Sequence, residues 1–347
     1  MVPYAKTRLA LGDKELGFIL LALGGGSMVA MPLAGAAIHL WGSRRVVAFA
    51  AVATCAVLPL LASPSGAAML AAALFAFGAA LGALDVAMNA QALAVQNAAS
   101  RPIMSSFHAL FSVGGLAGAA IVSLLLRAGV GLTQCATAIA VALALLALSQ
   151  QASLVSDHGA EDGGTFTIVP TPAVLLLGAL CFMCFLGEGA VLDWSAVFLR
   201  EHRGVDVAVA GVGYAAFSIA MAAMRLAGDR VTHAVGAART LRAGAALAAA
   251  GYLLAAAVPS STGALIGFVV VGIGAANIVP ILFTASGRVP GVPPGIALAT
   301  VTTIAYAGLL LGPALVGFVA DASSLPVAFM VIAALFGIIA VSAARVA

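Results

Sequence analysis

Residues 82–118 read GALDVAMNAQALAVQNAASRPIMSSFHALFSVGGLAG, two apolar segments joined by a short polar turn near Ala98–Arg101. Each segment carries polar groups at helical spacing: Asp85 with Asn89, and His108 with Ser112, are i and i+4 pairs. Folded about the turn as an antiparallel helix pair, the stretch sets Asn89 and His108 at similar depth and Asp85 about one turn deeper. His108 then faces the segment that bears Asp85. A carboxylate at the centre of a bilayer costs about 2.5–3.5 kcal/mol on insertion scales, so such residues face a partner or a water-filled cavity. Gly114-x-x-x-Gly118 on the second segment has the spacing of a helix-packing face.

The rest of the chain supports a membrane reading. Of 347 residues 63% are hydrophobic and 8% charged, more apolar sequence than a soluble core needs. The apolar runs are long enough for helices and lack the short alternation of an outer-membrane barrel. The 39 glycines point to helices packed closely through small residues. Cys55, Cys135, Cys181 and Cys184 all fall inside apolar runs and read as small packing residues. The first run, Leu16–Leu40, is too long for the core of a signal peptide.

Cutting at charged or Pro/Gly-rich turns gives eleven spans: 16–40, 45–62, 67–93, 102–126, 131–150, 171–199, 207–227, 239–257, 263–284, 295–319 and 325–344. The longest connector, 151–170, holds Asp157, His158, Glu161 and Asp162 and separates five spans from six. The expected organisation is an N-terminal bundle over 1–150, a cytoplasmic linker over 151–170 and a C-terminal six-helix bundle over 171–347. The side holding Arg44, Arg45, Arg101, Arg230, Arg239, Arg242, Arg288 and Arg345 is assigned to the cytoplasm, which also places the C-terminus there. Lys6, Arg8 and Lys14 are then left outside.

The halves repeat at an offset of about 190 residues. Gly35, His39, Gly42, Arg44 and Arg45 follow the first span as Gly228, Asp229, Arg230, Gly236 and Arg239 follow the seventh, and Asn277 answers Asn89. Repeated membrane halves are a transporter signature. By the same offset most of a first span is missing from the N-terminal half, so the expected plan is six plus six with the first helix truncated.

These residues resemble the major facilitator superfamily. Its loop after the second helix, G-x-x-x-D-R-x-G-R-R, is similar to Gly35, Gly42, Arg44 and Arg45 here, with His39 and Leu40 in the Asp-Arg place; the second-half copy keeps Asp229 and Arg230. Gly82-Ala-Leu-Asp85-Val-Ala-Met-Asn89 is similar to the G-x-x-E-x-x-x-N of the fucose-permease-like branch. Glu188-Gly-Ala-Val-Leu-Asp193-Trp194-Ser195 resembles the E-G-x-x-x-D-W-S of uncharacterised permeases in that branch. The resemblance implies an all-α fold of two pseudo-repeated bundles around a central cavity. It also implies a proton-coupling role for Asp85, solute contact for Asn89, and a cytoplasmic gate at Gly35, Gly42, Arg44, Arg45, Asp229 and Arg230.

Glu188 is the second proton-coupling candidate, and His108 can relay protons near neutral pH. Asp193, five residues on, shares a cavity with Glu188 only if Gly187 and Gly189 let the helix bend or unwind. Asp193, Trp194, Asn277 and Tyr306 join Asn89 as expected solute contacts, Trp194 as an aromatic wall for a sugar ring. Arg225 is expected to snorkel towards the gate. No P-loop, metal cluster or nucleophile triad appears, so neither an enzyme nor a cofactor or metal is expected. The expected function is secondary transport of a small sugar-like solute across the cytoplasmic membrane by a monomer, coupled to protons, with no nucleic-acid partner. A proton-antiport exporter of amphipathic compounds and a non-transporting membrane sensor or remnant are the alternatives.

Overall fold

In the computed structural model, residues 8–11, 13–156, 171–206 and 209–346 are described. Lys6 and the charged part of the connector, Asp157 to Asp162, lie outside them, as does the side chain of Lys14. The described residues are helical, with no strand among them. The helices are α1 (Asp13–Trp41), α2 (Ser43–Ala62), α3 (Ala67–Ala99), α4 (Met104–Arg127), α5 (Leu132–Gln150), α6 (Pro172–Arg203), α7 (Val212–Val235), α8 (Ala237–Ala257), α9 (Ser261–Ala275), α10 (Ile278–Ser286), α11 (Pro294–Ala322) and α12 (Leu325–Val346).

Ten segments among the described residues are long and apolar enough to cross a membrane, α9 and α10 counting together as Ser261–Ser286. The eleventh expected span is present as the helix α7, but Arg225, Asp229 and Arg230 lower its hydropathy. Two compact units emerge. Unit 1 comprises Met1–Val95, Gly114–Val169 and Gly291–Thr300; unit 2 comprises Gln96–Val113, Pro170–Pro290 and Val301–Ala347.

Glycine placement explains the packing of each unit. In unit 1, α1 and α3 approach backbone to backbone: a Cβ at Gly26 would strike the Phe75 carbonyl, and one at Gly78 the Leu23 carbonyl. Ser27, one residue along, donates its hydroxyl to the Gly78 carbonyl at 2.8 Å. In unit 2, Gly251 faces Gly267 and Gly244 faces Gly274 across α8 and α9, where an added Cβ would lie 2.5–2.7 Å from a carbonyl oxygen. Such contacts replace hydrophobic driving force, which lipid does not supply. The Gly114-x-x-x-Gly118 face behaves otherwise. A Cβ at Gly114, Gly115 or Gly118 meets nothing within 4 Å, so no described helix packs there.

The repeat is visible in backbone conformation. Gly42 starts α2 at φ 82°, ψ 152°, and Gly236 starts α8 at φ 89°, ψ 149°. Only glycine adopts that region cheaply, so both copies of the turn require it. Each glycine N–H also closes the preceding helix, onto Ile38 O at 2.9 Å and Thr232 O at 3.0 Å.

Candidate functional site

Unit 2 gathers most of the buried polar chemistry, and Pro280 begins the explanation. Proline has no N–H, so the carbonyl four residues back, that of Ala276, loses its helical partner. The helix breaks there: α9 ends at Ala275, Asn277 sits at φ −103°, ψ 0°, and α10 resumes at Ile278. The freed Ala276 carbonyl accepts from Arg225 Nε at 3.3 Å. The same guanidinium reaches Ser112 Oγ with Nη1 at 3.4 Å and faces Glu188 Oε2 with Nη2 at 3.7 Å. Arg225 thus joins four elements: its own α7, the α9–α10 break, α4 and α6.

The pair is buried, with side-chain exposures of 9% for Arg225 and 18% for Glu188. Cys184, one turn before Glu188, donates its thiol to Oε1 at 3.6 Å. Arg225 does not snorkel to the surface; its head is held inside, because Glu188 and the orphaned carbonyl both lie there. All three of its contacts are long and none is bidentate, so this cation is held but not saturated.

His108 stands one turn from Ser112 on α4, its ring tilted against Phe283 at 5.8 Å between centroids. His108 Nε2 and Asn277 Oδ1 are buried without a hydrogen-bond partner among the described residues. Asn277 packs against Gly228, where any Cβ would collide with its amide oxygen. Gly228 is the residue before Asp229, so the turn sequence and the helix break fit each other.

α6 runs unbroken from Pro172 to Arg203, so Gly187 and Gly189 do not unwind it. They serve contact instead: a Cβ on Gly187 would enter the Phe336 ring, and one on Gly189 would lie 3.1 Å from Leu309 Cδ1. Tyr252, fully buried, donates its hydroxyl to the Gly187 carbonyl at 2.5 Å. With the helix intact, Glu188 and Asp193 point different ways: Glu188 is turned into unit 2 and Asp193 is exposed. Trp194 is half-buried with its indole 3.2 Å from where a Cβ on Gly317 would be, and its Nε1 has no hydrogen-bond partner among the described residues. Tyr306 meets Phe185 edge to face at 5.7 Å.

Gln96 at the end of α3 and Asp229 on α7 hold the start of α4. Gln96 Oε1 accepts from Ile103 N at 3.0 Å and Met104 N at 3.1 Å. Asp229 Oδ1 accepts from Ser105 N and Oδ2 from Ser106 N, both at 2.9 Å, and Ser106 Oγ also donates to Oδ2. Side chains from elsewhere in the sequence thereby satisfy the leading N–H groups of this helix, and a carboxylate sits at its positive end. Arg230 is exposed. Gln96 was missed by sequence reasoning; an amide in an apolar helix end was its only signal.

In unit 1, Asn89 is 4% exposed and donates Nδ2 to the Asp85 carbonyl at 2.8 Å and to Asp85 Oδ1 at 3.4 Å. Asp85 is half-buried. Gly35 is buried where α1 meets the first turn of α11; a Cβ there would lie 3.3 Å from Gly295 O. Arg44 donates to Ser156 Oγ at 2.9 Å and Arg45 is exposed. Gln91, also unanticipated, ties Ser43 Oγ at 2.7 Å to the Val155 backbone.

Comparison with known proteins agrees with the helical fold. The family model of the Major Facilitator Superfamily matches residues 1–293 and, in a second match, 177–346. An uncharacterised MFS-type transporter of Yersinia pestis is 46% identical over 346 residues, covering 100% of this chain and 90% of that protein. Among solved structures, FucP in the outward conformation superposes with a TM-score of 0.81 at 17% identity, over 99% of this chain and 93% of that one. The proton:xylose symporter XylE gives 0.79 at 13% identity, over 99% and 90%.

Proposed function

Because this chain belongs to the major facilitator superfamily and is a multi-pass membrane transporter, we propose that it carries a small polar, sugar-like solute together with protons by alternating access. The observation that carries the reading is the Glu188–Arg225 pair, buried within unit 2 and bound to a helix break. Buried ion pairs contribute little stability, since desolvation offsets most of their attraction, so such a pair is retained for another reason. When Glu188 is ionised it holds Arg225 against the Ala276 carbonyl and Ser112. A proton on Glu188 cancels that attraction and leaves Arg225 free to bond a solute oxygen. Deprotonation restores the pair and expels the solute from the guanidinium.

Asp85 and Asn89 form a second polar station, in unit 1, where Asp85 takes up and releases a proton and Asn89 contacts solute. His108, with its unpartnered Nε2, and Asn277, with its unpartnered Oδ1, supply further hydrogen-bonding groups, and Trp194, Tyr306 and Asp193 complete the solute contacts. The sugar class draws support from the two structural neighbours, described as fucose:proton and proton:xylose symporters. Residues 1–150 and 171–347 form the two functional bundles, joined by a linker at 151–170. The protein works as a monomer in the cytoplasmic membrane, with its C-terminus and the gate residues Gly35, Gly42, Arg44, Arg45, Asp229 and Arg230 on the cytoplasmic side.

The test is uptake into proteoliposomes. Labelled L-fucose, D-xylose and related monosaccharides are offered under an inward proton gradient. Accumulation of one of them, collapsed by a protonophore, is the expected result. A panel without uptake, from protein shown to be folded and inserted, contradicts sugar import.

A further inference from the structure

We propose that unit 2 carries a second ligand site, separate from the Glu188–Arg225 cluster, that binds a phosphate-bearing anion. A cavity of about 850 Å³ opens at the end of the unit where α6 begins and α12 finishes. Arg101, from the turn before α4, Arg288, from the loop after α10, and Arg345, from the last turn of α12, all line it. None of the three has a carboxylate partner or a side-chain hydrogen bond among the described residues. His233 lies in the same wall.

Asp229 is the one acid among the described residues of the wall, and its two oxygens already accept the N–H groups of Ser105 and Ser106. Gln96 is likewise committed, to Ile103 and Met104. Those two side chains of the wall are therefore held in place while its guanidiniums remain available. Loop arginines that only satisfy the sidedness rule for membrane loops have no cause to line one cavity. Three on one concave surface match the oxygens of a phosphate group, which guanidinium binds in bidentate fashion. A cavity this large admits more than an inorganic ion. The phosphate belongs either to an anionic phospholipid headgroup, as basic pockets between membrane helices bind, or to a soluble phosphorylated metabolite.

The experiment uses the purified full chain in a neutral detergent and reads thermal unfolding. One arm titrates inorganic phosphate against sodium chloride of equal ionic strength. The other titrates dioleoyl phosphatidylglycerol against dioleoyl phosphatidylcholine. Stabilisation by at least one anion is expected, saturable, with the apparent affinity weakened about tenfold or more in Arg101→Gln/Arg288→Gln/Arg345→Gln. The control Arg127→Gln/Arg200→Gln/Arg242→Gln removes the same charge from residues outside the cavity and is expected to bind as the wild type does. The single Arg288→Gln is expected to fall between, should the triple variant be poorly folded. Response to phosphate alone assigns a soluble ligand, and response to phosphatidylglycerol alone a lipid. No response to either anion, or an equal loss in the control, overturns the site. Failure here leaves the coupling reading untouched, because none of these arginines belongs to it.

Discussion

The Asp229 carboxylate accepts the backbone N–H of Ser105 at 2.9 Å, across 124 positions of sequence. Its other oxygen takes Ser106, so one acid of α7 holds the first turn of α4. Loss of a capping side chain costs about 0.5–2 kcal/mol. Asp229→Ala is therefore expected to lower the melting temperature of the purified protein by several degrees. Asp229→Asn, which keeps one acceptor but no charge, is expected to fall between it and the wild type. Equal melting of all three proteins contradicts the assignment.

Arg225 and Glu188 give a second prediction. Removing one member of a buried pair leaves the other charge uncompensated, at about 3–5 kcal/mol. Arg225→Ala should be the most damaging change in the cluster, and adding Glu188→Gln should recover part of the loss. Denaturation of both single variants and the double variant measures the coupling directly. Additive effects would mean that the two side chains do not interact.

Glycine positions separate contact from open space. Gly78→Val forces a side chain into the Leu23 backbone, and accumulation of folded protein in the membrane should collapse. Gly118→Val meets nothing and should accumulate normally. Fluorescence-detected size-exclusion profiles of the two variants check the contrast; matching profiles refute it.

Tyr252→Phe removes only the hydroxyl bonded to Gly187 O. Hydrogen bonds between membrane helices contribute about 0.6 kcal/mol on average, so a small drop in melting temperature is expected. A gain in stability would show that the bond is absent.

Sequence carried the helices well and the long-range polar contacts poorly. The eleven apolar runs match helices because each ends at charged or Gly/Pro turns, and Gly42 and Gly236 share one backbone conformation because the two halves share one turn. The Gly114–Gly118 spacing promised packing that the structure does not show, since spacing describes a face but not what meets it. The bend at Gly187 and Gly189 that a cavity shared by Glu188 and Asp193 would need is absent, and both glycines are contact points. The Arg225 position was misread although its cause was visible: Pro280 always orphans the carbonyl of Ala276. What the sequence cannot state is which of several cations turns towards that carbonyl. Glu188 and Arg225 stand 37 positions apart on separate helices, and no local pattern links them.

The coupling claim is tested most directly by medium pH. De-energised, lightly buffered cells expressing the chain receive each monosaccharide in turn, beside cells expressing Glu188→Gln at the same membrane level. Alkalinisation with at least one sugar is expected in the wild type and a signal at least about tenfold smaller in the variant, with sugar exchange at equilibrium retained. Alkalinisation of equal size in Glu188→Gln would contradict the role given to this pair.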